Sequence, residues 1–324
     1  MHLTRLAPSP TGALHLGNAR TFLVNWLIAR QSGWKILLRV EDLDGPRIKR
    51  GADRQAIEDL KWLGIDWDEG PIHQSTRTGA YSLAIQLLLD RGRAYPCICS
   101  RKEAMQAASA PHAEDGGNVY PGTCRGRFKS VEEAIEATGQ SPAIRFRLGE
   151  APIEFDDAFA GRQRFEDPAR QLGDFVIAKA DGTAAYHLAV VVDDAAMGVT
   201  QVVRGDDLLD SAPRQMALYE ALGMKDRIPA YMHLPLVVGQ DGLRLAKRHG
   251  DTRLSHYRQS GVTAERILGL LARWCGIDAG PQIALPQLLA KFDVARLPRT
   301  PIIMSSLDES FLASIPSPGT PGKG

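Results

Sequence analysis

The chain has 324 residues, of which 44% are hydrophobic, and this suits one large α/β domain with an insertion. Its 39 Lys and Arg residues nearly balance 38 Asp and Glu residues, so the formal net charge is +1. This excludes a global positive field and leaves local basic patches, such as residues 47–50 and 125–129, for contact with a nucleic acid. The N-terminus lacks an apolar signal segment, and no apolar run reaches the roughly 20 residues that cross a bilayer, so we expect a cytoplasmic protein.

The N-terminal third alternates apolar runs with helical periods. The predicted elements are strands at residues 3–7 and 35–40, an amphipathic helix between them, and helices near residues 52–63 and 79–91. This βαβ order predicts an α/β fold with a doubly wound parallel sheet of the Rossmann-like kind. Ligands of such sheets bind at the carboxyl ends of the strands. We therefore expect Ser9, His15 and Glu41 to converge there.

The turn between the first strand and the first helix has the sequence PSPTGALHLGN, residues 8–18. A helix that begins at Gly17 offers unpaired backbone N–H groups and the positive end of its dipole. Gly17 has no Cβ to hold a phosphate or purine at a distance, and His15 can donate to a phosphate oxygen. The sequence therefore predicts a phosphate site at His15, Gly17 and Asn18, although a lone histidine is as often an ordinary surface residue.

The βαβ rhythm breaks at residues 94–165, which predicts an inserted subdomain. Three of the four cysteines of the chain, Cys97, Cys99 and Cys124, lie there. In a cytoplasmic protein this number argues against a disulfide framework. Thiolates bind zinc when four groups converge tetrahedrally, so the cluster is either a structural zinc site or three reduced, buried cysteines. Cys275 stands apart and is predicted to be a core residue.

Strand and helix patterns return after the insertion. The predicted elements are strands at residues 174–178, 185–192, 199–203 and 234–238, and helices near residues 208–222, 264–275 and 286–292. The strands are expected to complete the second half of the parallel sheet. The predicted divisions of the chain are the first catalytic half at 1–93, the insertion at 94–165, the second catalytic half at 166–250, a short helical C-terminal segment at 251–304 and a disordered tail at 305–324.

A basic segment with the sequence RLAKR, residues 244–248, follows a predicted hairpin that turns at residues 239–242. Such a cluster is usually a solvated face. A loop lysine beside a helix N-terminus is nevertheless what attack of a carboxylate on an α-phosphate requires, because charge builds up on phosphoryl oxygens and pyrophosphate leaves. Together with residues 15–18, the segment predicts an ATP site that activates a carboxylate, with Lys247 in the catalytic role.

The segments HLGN, residues 15–18, and RLAKR, residues 244–248, resemble the two signatures of class I aminoacyl-tRNA synthetases, His-Ile-Gly-His and Lys-Met-Ser-Lys-Ser. Asn18 stands in place of the second histidine, and Ala246 stands in place of the serine. Further segments resemble the core of glutamyl-tRNA synthetases in the same order: residues 5–12, 38–44, 190–194 and 204–209. The resemblance implies ATP as substrate with Mg²⁺, and it implies catalytic and ATP-binding roles for His15, Gly17, Asn18, Arg244, Lys247 and Arg248.

The same resemblance implies a pocket for glutamate, which carries two carboxylates and one ammonium group. The implied residues are Arg5, Ala7, Ser9, Glu41, Tyr186 and Arg204. Glu41 is implied to pair with the ammonium group, and the arginine guanidinium groups suit bidentate contact with carboxylates. A glutamine enzyme would need a neutral partner in place of one arginine. Two arginines therefore favour glutamate.

The spacing Cys-x-Cys at Cys97 and Cys99, followed by Tyr-x₃-Cys at Tyr120 and Cys124, resembles glutamyl-queuosine tRNA(Asp) synthetases. Those enzymes also lack the C-terminal anticodon-binding region of glutamyl-tRNA synthetases, and the segment after residue 275 is short here. The resemblance implies one structural Zn²⁺ held by Cys97, Cys99, Tyr120 and Cys124. His112 is a rival fourth ligand, because a phenol must lose its proton to bind metal.

This resemblance implies activation of L-glutamate without tRNA and transfer of glutamate to queuosine in the anticodon of tRNA(Asp). Chemistry permits the acceptor, since the cyclopentene diol of queuosine offers the same kind of hydroxyl as a terminal ribose. One alternative is a short glutamyl-tRNA synthetase that charges a tRNA 3′ end. Another is a non-catalytic, zinc-containing tRNA-binding module, suggested by Asn18 and Ala246. We expect a monomer without contact with a membrane.

Overall fold

The computed structural model describes residues 1–100, 103, 119–243, 245 and 251–313, and of Pro46 and Ala313 the backbone alone. The strands of these residues are β1 Leu3–Leu6, β2 Lys35–Val40, β3 Glu69–His73, β4 Ala94–Cys97, β5 Ala143–Phe146, β6 Ile153–Asp157, β7 Gly161–Phe165, β8 Phe175–Ala178, β9 Gln201–Gly205, β10 Ala230–Leu234, β11 Val237–Val238 and β12 Ile302–Ile303. Their α-helices are α1 Leu16–Gln31, α2 Ala52–Trp62, α3 Thr78–Asp90, α4 Val131–Thr138, α5 Pro168–Gln171, α6 Tyr186–Met197, α7 Ser211–Ala221, α8 Leu254–Gln259, α9 Ala264–Arg273, α10 Leu285–Lys291 and α11 Ser306–Ala313.

Parallel strands form the centre of the fold. β2 pairs with β1 on one side and with β3 on the other, and β9 pairs with β10, all in parallel. The two halves meet where the backbone N–H of Thr200, just before β9, donates to the carbonyl of Leu3 in β1 over 2.9 Å. The βαβ start is therefore as predicted, and the carboxyl ends of β1, β2 and β9 lie at one edge.

Helix α1 packs its apolar residues between this sheet and the C-terminal helices. Leu23, Val24 and Leu27 are fully buried in one core with residues of α9 and α10, and each such leucine contributes about 1.5–3 kcal/mol when it leaves water. The predicted helices near residues 52–63, 79–91, 264–275 and 286–292 are confirmed within one or two residues as α2, α3, α9 and α10. The helix predicted near residues 208–222 is α7, preceded by a short 3₁₀ turn.

One predicted strand is wrong. Residues 186–192 belong to helix α6, and Ala185 is the extended residue before its first turn. The apolar run Leu188 to Val191 is buried on all sides, so it shows neither helical nor strand periodicity. A second correction concerns β8, which pairs antiparallel with β5 instead of extending the parallel sheet.

The region predicted to be an insertion forms antiparallel strand pairs. β4, β5 and β8 form one antiparallel sheet, and β6 and β7 form a two-stranded hairpin. The hairpin reaches the central sheet, because the N–H of Ala158 in its turn donates to the carbonyl of Tyr231 in β10 over 2.9 Å. The division of the chain at residues 93, 165, 250 and 304 stays a prediction, but the expected disorder after residue 304 is wrong for residues 306–313, which form helix α11.

The predicted strand at residues 234–238 is interrupted. β10 ends at Leu234, and Val237–Val238 form a separate strand that pairs in parallel with β12. The turn after it is formed, since the N–H of Gly239 donates to the carbonyl of Leu243 over 2.8 Å. Cys275 is fully buried in the core that α1 shares with α9, as predicted, and burial raises the pKa of its thiol to about 11. None of the helices within the described residues is long and apolar enough to span a bilayer.

Candidate active site

A cavity of about 710 Å³ opens at the carboxyl ends of β1, β2 and β9. The residues predicted to bind glutamate all line it, and so do the three residues of the predicted phosphate site: Arg5, Ala7, Ser9, His15, Gly17, Asn18, Glu41, Tyr186 and Arg204. Arg244, Lys247 and Arg248 lie outside the described residues. The fold thus brings together, in one cavity, residues that are up to 199 positions apart in the chain.

The turn before α1 is shaped by His15 and Gly17. The Nδ1 atom of His15 accepts the backbone N–H of Asn18 over 3.3 Å and thereby caps the helix. In the neutral ring the proton must then lie on Nε2, which suits donation to a phosphate oxygen. The N-terminus of this 16-residue helix meets the cavity, where its backbone dipoles favour an anion.

The chain that follows the basic segment, and Leu245 within the segment, lie beside this turn. The N–H of Leu16 donates to the carbonyl of Thr252 over 3.0 Å, and the N–H of Leu254 donates to the carbonyl of Leu14 over 2.8 Å. Leu245 is buried in the same core as Leu14. These bonds fix the described neighbours of the predicted lysine segment next to the N-terminus of α1.

Arg204, at the end of β9, is buried, with 5% of its surface exposed. Its Nε donates to His233 Nε2 and its Nη1 donates to Gln215 Oε1, each over 2.9 Å. Its Nη2 is buried without a hydrogen-bond partner among the described residues. A buried N–H of a guanidinium group is costly to leave unpaired. Since Arg204 lines the cavity, Nη2 suits a carboxylate bound there.

Arg5 and Glu41 are two further residues that line the cavity, and they carry opposite charges. Arg5 donates to the carbonyl of Val203 over 3.4 Å, and its Nε lies 3.7 Å from the carboxylate of Asp194. Burial lowers the pKa of Arg5, although Asp194 opposes this. Glu41 accepts a hydrogen bond from Arg39 Nη2 over 3.0 Å. Burial raises the pKa of Glu41, against Arg39 and Arg5, so a further cation would stabilise its carboxylate.

Beneath the cavity lies a buried charged layer that the sequence analysis missed. Asp193 accepts hydrogen bonds from Arg77 over 2.6 Å, from Tyr81 over 2.7 Å and from Gln74 over 2.9 Å. Arg39 pairs with Asp194. The signal was available, because two aspartates end an apolar run at residues 188–192. Once that run is a helix, Asp194 pairs with Arg5 of β1 and Arg39 of β2, whereas Asp193 binds Arg77 and residues on either side of it.

Other lining residues were also missed. They include Asp44, Lys179, Asp207, Leu208 and Leu236. Lys179 Nζ donates to the carbonyl of Leu43 over 3.2 Å and lies 3.3 Å from the carboxylate of Asp44, so it joins β8 to the segment after β2. The only hint in the sequence was that most of these positions fall in or near the motif segments 38–44 and 204–209.

The three clustered cysteines do converge. The Sγ atoms of Cys97, Cys99 and Cys124 all lie within 4.8 Å of one another, and Cys99 and Cys124 are 3.5 Å apart. A tetrahedral zinc ion with Zn–S bonds of about 2.3 Å separates its sulfur ligands by about 3.8 Å. The three cysteines therefore fit zinc.

Tyr120 lies beside this cluster, and its role as the fourth ligand stays a prediction. Its hydroxyl oxygen lies 3.4 Å from the Sγ atoms of Cys97 and Cys99. Burial raises the pKa of its phenol, and the hydrogen bonds with Cys97 and Cys99 raise it further, so only a metal's charge would make it a phenolate. The Arg145 guanidinium group lies 3.8 Å over the Tyr120 ring, and its Nε donates to Cys97 Sγ over 3.2 Å. His112 lies outside the described residues.

Several known proteins are similar to this chain in sequence over most of its length. A glutamyl-Q tRNA(Asp) synthetase of Symbiobacterium thermophilum is 50% identical over 308 residues, which are 92% of this chain and 94% of that protein. One of Rhodopirellula baltica is 46% identical over 93% of this chain and 95% of its own length. A glutamate–tRNA ligase of Trichlorobacter lovleyi is 40% identical over 93% of this chain, but over only 63% of its own length.

A solved structure agrees with these sequence relationships. The crystal structure of a glutamate tRNA ligase from Elizabethkingia meningosepticum, in complex with its amino acid, superposes with a TM-score of 0.79 at 27% identity, over 96% of this chain and 68% of that one. The family model for the catalytic domain of class I tRNA synthetases (E and Q) matches residues 2–291. The chain therefore belongs to the class I tRNA synthetases of the glutamate and glutamine type, a family of ligases.

Proposed function

We propose that this chain activates L-glutamate with ATP, without tRNA, and transfers the glutamyl group to the queuosine base in the anticodon of tRNA(Asp). The observation that carries the amino-acid step is the cavity in which two buried arginines, and a glutamate whose side chain is 12% exposed, meet the N-terminus of α1. The charges of this set match the two carboxylates and one ammonium group of glutamate.

In the first step Arg204 and Arg5 bind the carboxylates, and Glu41 binds the ammonium group. The α-carboxylate oxygen attacks the α-phosphorus of ATP, the bond to pyrophosphate breaks, and glutamyl adenylate forms. His15, the N–H groups at the start of α1 and Lys247 stabilise the charge that develops on the phosphoryl oxygens. Mg²⁺ would neutralise the leaving pyrophosphate.

In the second step a hydroxyl of the cyclopentene diol attacks the carbonyl carbon of the adenylate. An ester forms, the proton of the attacking hydroxyl passes to solvent, and AMP leaves. The acceptor is supported by the names of the two relatives that match this chain over 94% and 95% of their lengths. Cys97, Cys99, Tyr120 and Cys124 would hold one structural zinc ion, which pins a region whose own apolar cluster is small.

The test uses ATP, Mg²⁺ and radiolabelled glutamate with tRNA(Asp) that carries or lacks queuosine, each also prepared without its 3′-terminal adenosine. We expect label only on tRNA with queuosine, whether or not the 3′ end is intact. Arg204→Ala serves as the negative control. Label that requires the 3′ adenosine and ignores queuosine would contradict the proposal.

A second candidate is a short glutamyl-tRNA synthetase that charges a 3′ end. It is favoured by the 40% identity with the glutamate–tRNA ligase of Trichlorobacter lovleyi over nearly the whole of this chain. Both candidates use the same adenylate, so pyrophosphate exchange does not separate them. The 3′-trimmed tRNA does, because it removes the acceptor of one reaction and leaves that of the other.

A further inference from the structure

A buried chain of three side chains leads from the hairpin of β6 and β7 to the cavity. Asp157 ends β6, His233 lies in β10 and Arg204 lies in β9. Their exposed fractions are 4%, 1% and 5%. Asp157 Oδ2 lies 2.6 Å from His233 Nδ1, and Arg204 Nε lies 2.9 Å from His233 Nε2.

The hydrogen positions in these three side chains follow from Arg204 at one end of the series and Asp157 at the other. Arg204 Nε carries a hydrogen and can only donate, so His233 Nε2 must be the acceptor. His233 Nδ1 therefore carries the proton of the neutral ring and donates it to Asp157. Burial lowers the pKa of His233, although the hydrogen bond to Asp157 opposes this, which agrees with a neutral imidazole.

Asp157 is held in turn by the backbone. Its Oδ1 accepts the N–H groups of Phe159 over 3.0 Å, Ala160 over 2.7 Å and His233 over 3.1 Å. These three donors fix the carboxylate, so that Oδ2 can point only towards the imidazole. The hairpin turn and β10 thereby set the rotation of His233.

This arrangement orients Arg204 without neutralising it. Its two partners, the imidazole of His233 and the amide oxygen of Gln215, are uncharged, and no carboxylate lies within ion-pair distance of it among the residues that the structure describes. The imidazole separates the guanidinium group from the negative charge of Asp157. Within the described part of the chain, Arg204 therefore has no carboxylate partner and no hydrogen-bond partner at Nη2, so it can bind an anionic ligand in the cavity.

We propose that Asp157 and His233 are positioning residues, which hold Arg204 so that it binds a substrate carboxylate and discriminates against the corresponding amide. This rests on the proposed function, in which Arg204 binds glutamate. Neither residue touches the cavity, so each acts only through Arg204.

Asp157→Asn tests the hydrogen pattern. The Asn oxygen keeps the three backbone donors, which turns its NH₂ towards His233 Nδ1. The imidazole must then carry its proton on Nε2, where it faces the N–H of Arg204, and the bond between them is lost. In glutamate-dependent ATP–pyrophosphate exchange we expect KM for glutamate to rise 10- to 100-fold and KM for ATP to stay within two-fold. Discrimination between glutamate and glutamine should fall in parallel.

The matched control is Asp174→Asn. Asp174 is another buried carboxylate, 3% exposed, which binds Arg125 and Tyr95 away from the cavity. It should leave KM for glutamate unchanged. Equal KM values in the wild type and both variants would overturn the positioning role.

A pair of substitutions at His233 separates positioning from packing. In His233→Gln an amide oxygen can replace Nε2 as acceptor for Arg204, whereas His233→Asn keeps only a donor towards Asp157. We expect Gln to retain most of the affinity for glutamate and Asn to lose it, as measured by calorimetric titration. Equal losses in both would contradict the proposal.

Two further readouts keep the outcomes distinct. If the variants do not fold, the nitrogen chemical shifts of His233 in the wild-type protein decide, because the proposal requires a protonated Nδ1 and an unprotonated Nε2. If the wild-type protein shows no glutamate-dependent exchange, the proposed function fails and this inference fails with it. If the wild type is active and Asp157→Asn matches it, the inference alone fails.

Discussion

His15 packs directly against Gly17: a Cβ at residue 17 would lie 3.1 Å from both the Cε1 and the Nδ1 atoms of the His15 ring. The sequence suggested that Gly17 makes room for a nucleotide. The structure adds that it makes room for the histidine that caps α1 through the N–H of Asn18. The cap of α1 therefore depends both on the His15 ring and on the absence of a Cβ at residue 17.

Gly17→Ala should displace the His15 ring and weaken the cap while the rest of α1 stays in place. We expect the rate of pyrophosphate exchange to fall at least ten-fold, with binding of glutamate unchanged in calorimetry, because Arg204 and Glu41 are not moved. Gly79→Ala in α3 is the control, since a Cβ there has no neighbour within 4 Å. It should leave the rate unchanged and raise helix stability by about 0.5–1 kcal/mol. A normal rate for Gly17→Ala would contradict the role of the close approach.

Because Asp59 in α2 has a buried carboxyl group, we expect the free energy of unfolding to depend on pH. Asp59 is fully buried, accepts from Gln55 over 2.9 Å and lies 3.8 Å from Arg258 Nη2. Burial raises its pKa to about 6 from 3.8. Its folded-state pKa is the higher one, so its contribution to stability is complete below pH 3.8 and is lost as the pH rises through 6.

Asp59→Asn should therefore stabilise the protein at pH 8 by about 1–3 kcal/mol and much less at pH 5, as measured by chemical denaturation at both values. Arg258 keeps Glu58 as a partner at 3.5 Å. Asp90→Asn in α3 is the control, because Asp90 accepts from Gln86 with the same spacing but is exposed. A gain that does not depend on pH would contradict the assignment.

The early part of the fold was predictable because its elements carry clear periods and end at strong signals. Residues 35–40 form β2 as predicted, and the turn at residues 8–18 separates a strand from a helix. Residues 185–192 failed for a physical reason, since a run buried on all sides carries no periodicity. The antiparallel place of β8 also has no local signal, because strand partners are chosen by tertiary contacts.

The site was predictable where residues belong to motifs and invisible elsewhere. Arg5, Glu41 and Arg204 stand in segments that resemble one family, and all line the cavity. Asp157 and His233 are 76 positions apart, and neither stands in a motif. Only the packing of the hairpin against β10 brings them together, so sequence alone had no means to connect them.

Tyr120→Phe tests the fourth zinc ligand. Loss of the phenolic oxygen leaves the three thiolates and a water molecule, so we expect affinity for Zn²⁺ to fall at least ten-fold in competition with a chromophoric chelator. Tyr95→Phe is matched, because both tyrosines are 7% exposed and Tyr95 donates to Asp174 instead. Equal affinities in the two variants would show that the phenol is not a ligand.

Lys247→Ala should abolish adenylate formation, because the charge on the leaving pyrophosphate would lose its cation. Pyrophosphate exchange should fall below detection while glutamate still binds in calorimetry. Lys225→Ala, an exposed lysine beside Glu220, controls for the loss of one charge. Unchanged exchange in Lys247→Ala would remove the catalytic role of the basic segment and leave the turn at His15 as the main phosphate site.

Arg204→Ala tests the assignment on which the amino-acid specificity depends. The variant loses charged hydrogen bonds to a carboxylate, which are worth about 1.5–3 kcal/mol, or roughly 10- to 150-fold in KM for glutamate. Arg214→Ala is the control: it removes a partly buried arginine of α7 that donates to the carbonyl of Leu172 outside the cavity. The guanidinium group of Arg204 attracts the negative charge of a carboxylate, whereas an amide has no charge for it to attract. Loss of Arg204 should therefore raise KM for glutamate far more than KM for glutamine. An equal loss for both would mean that Arg204 holds the α-carboxylate, which the two share, and would transfer side-chain recognition to Arg5.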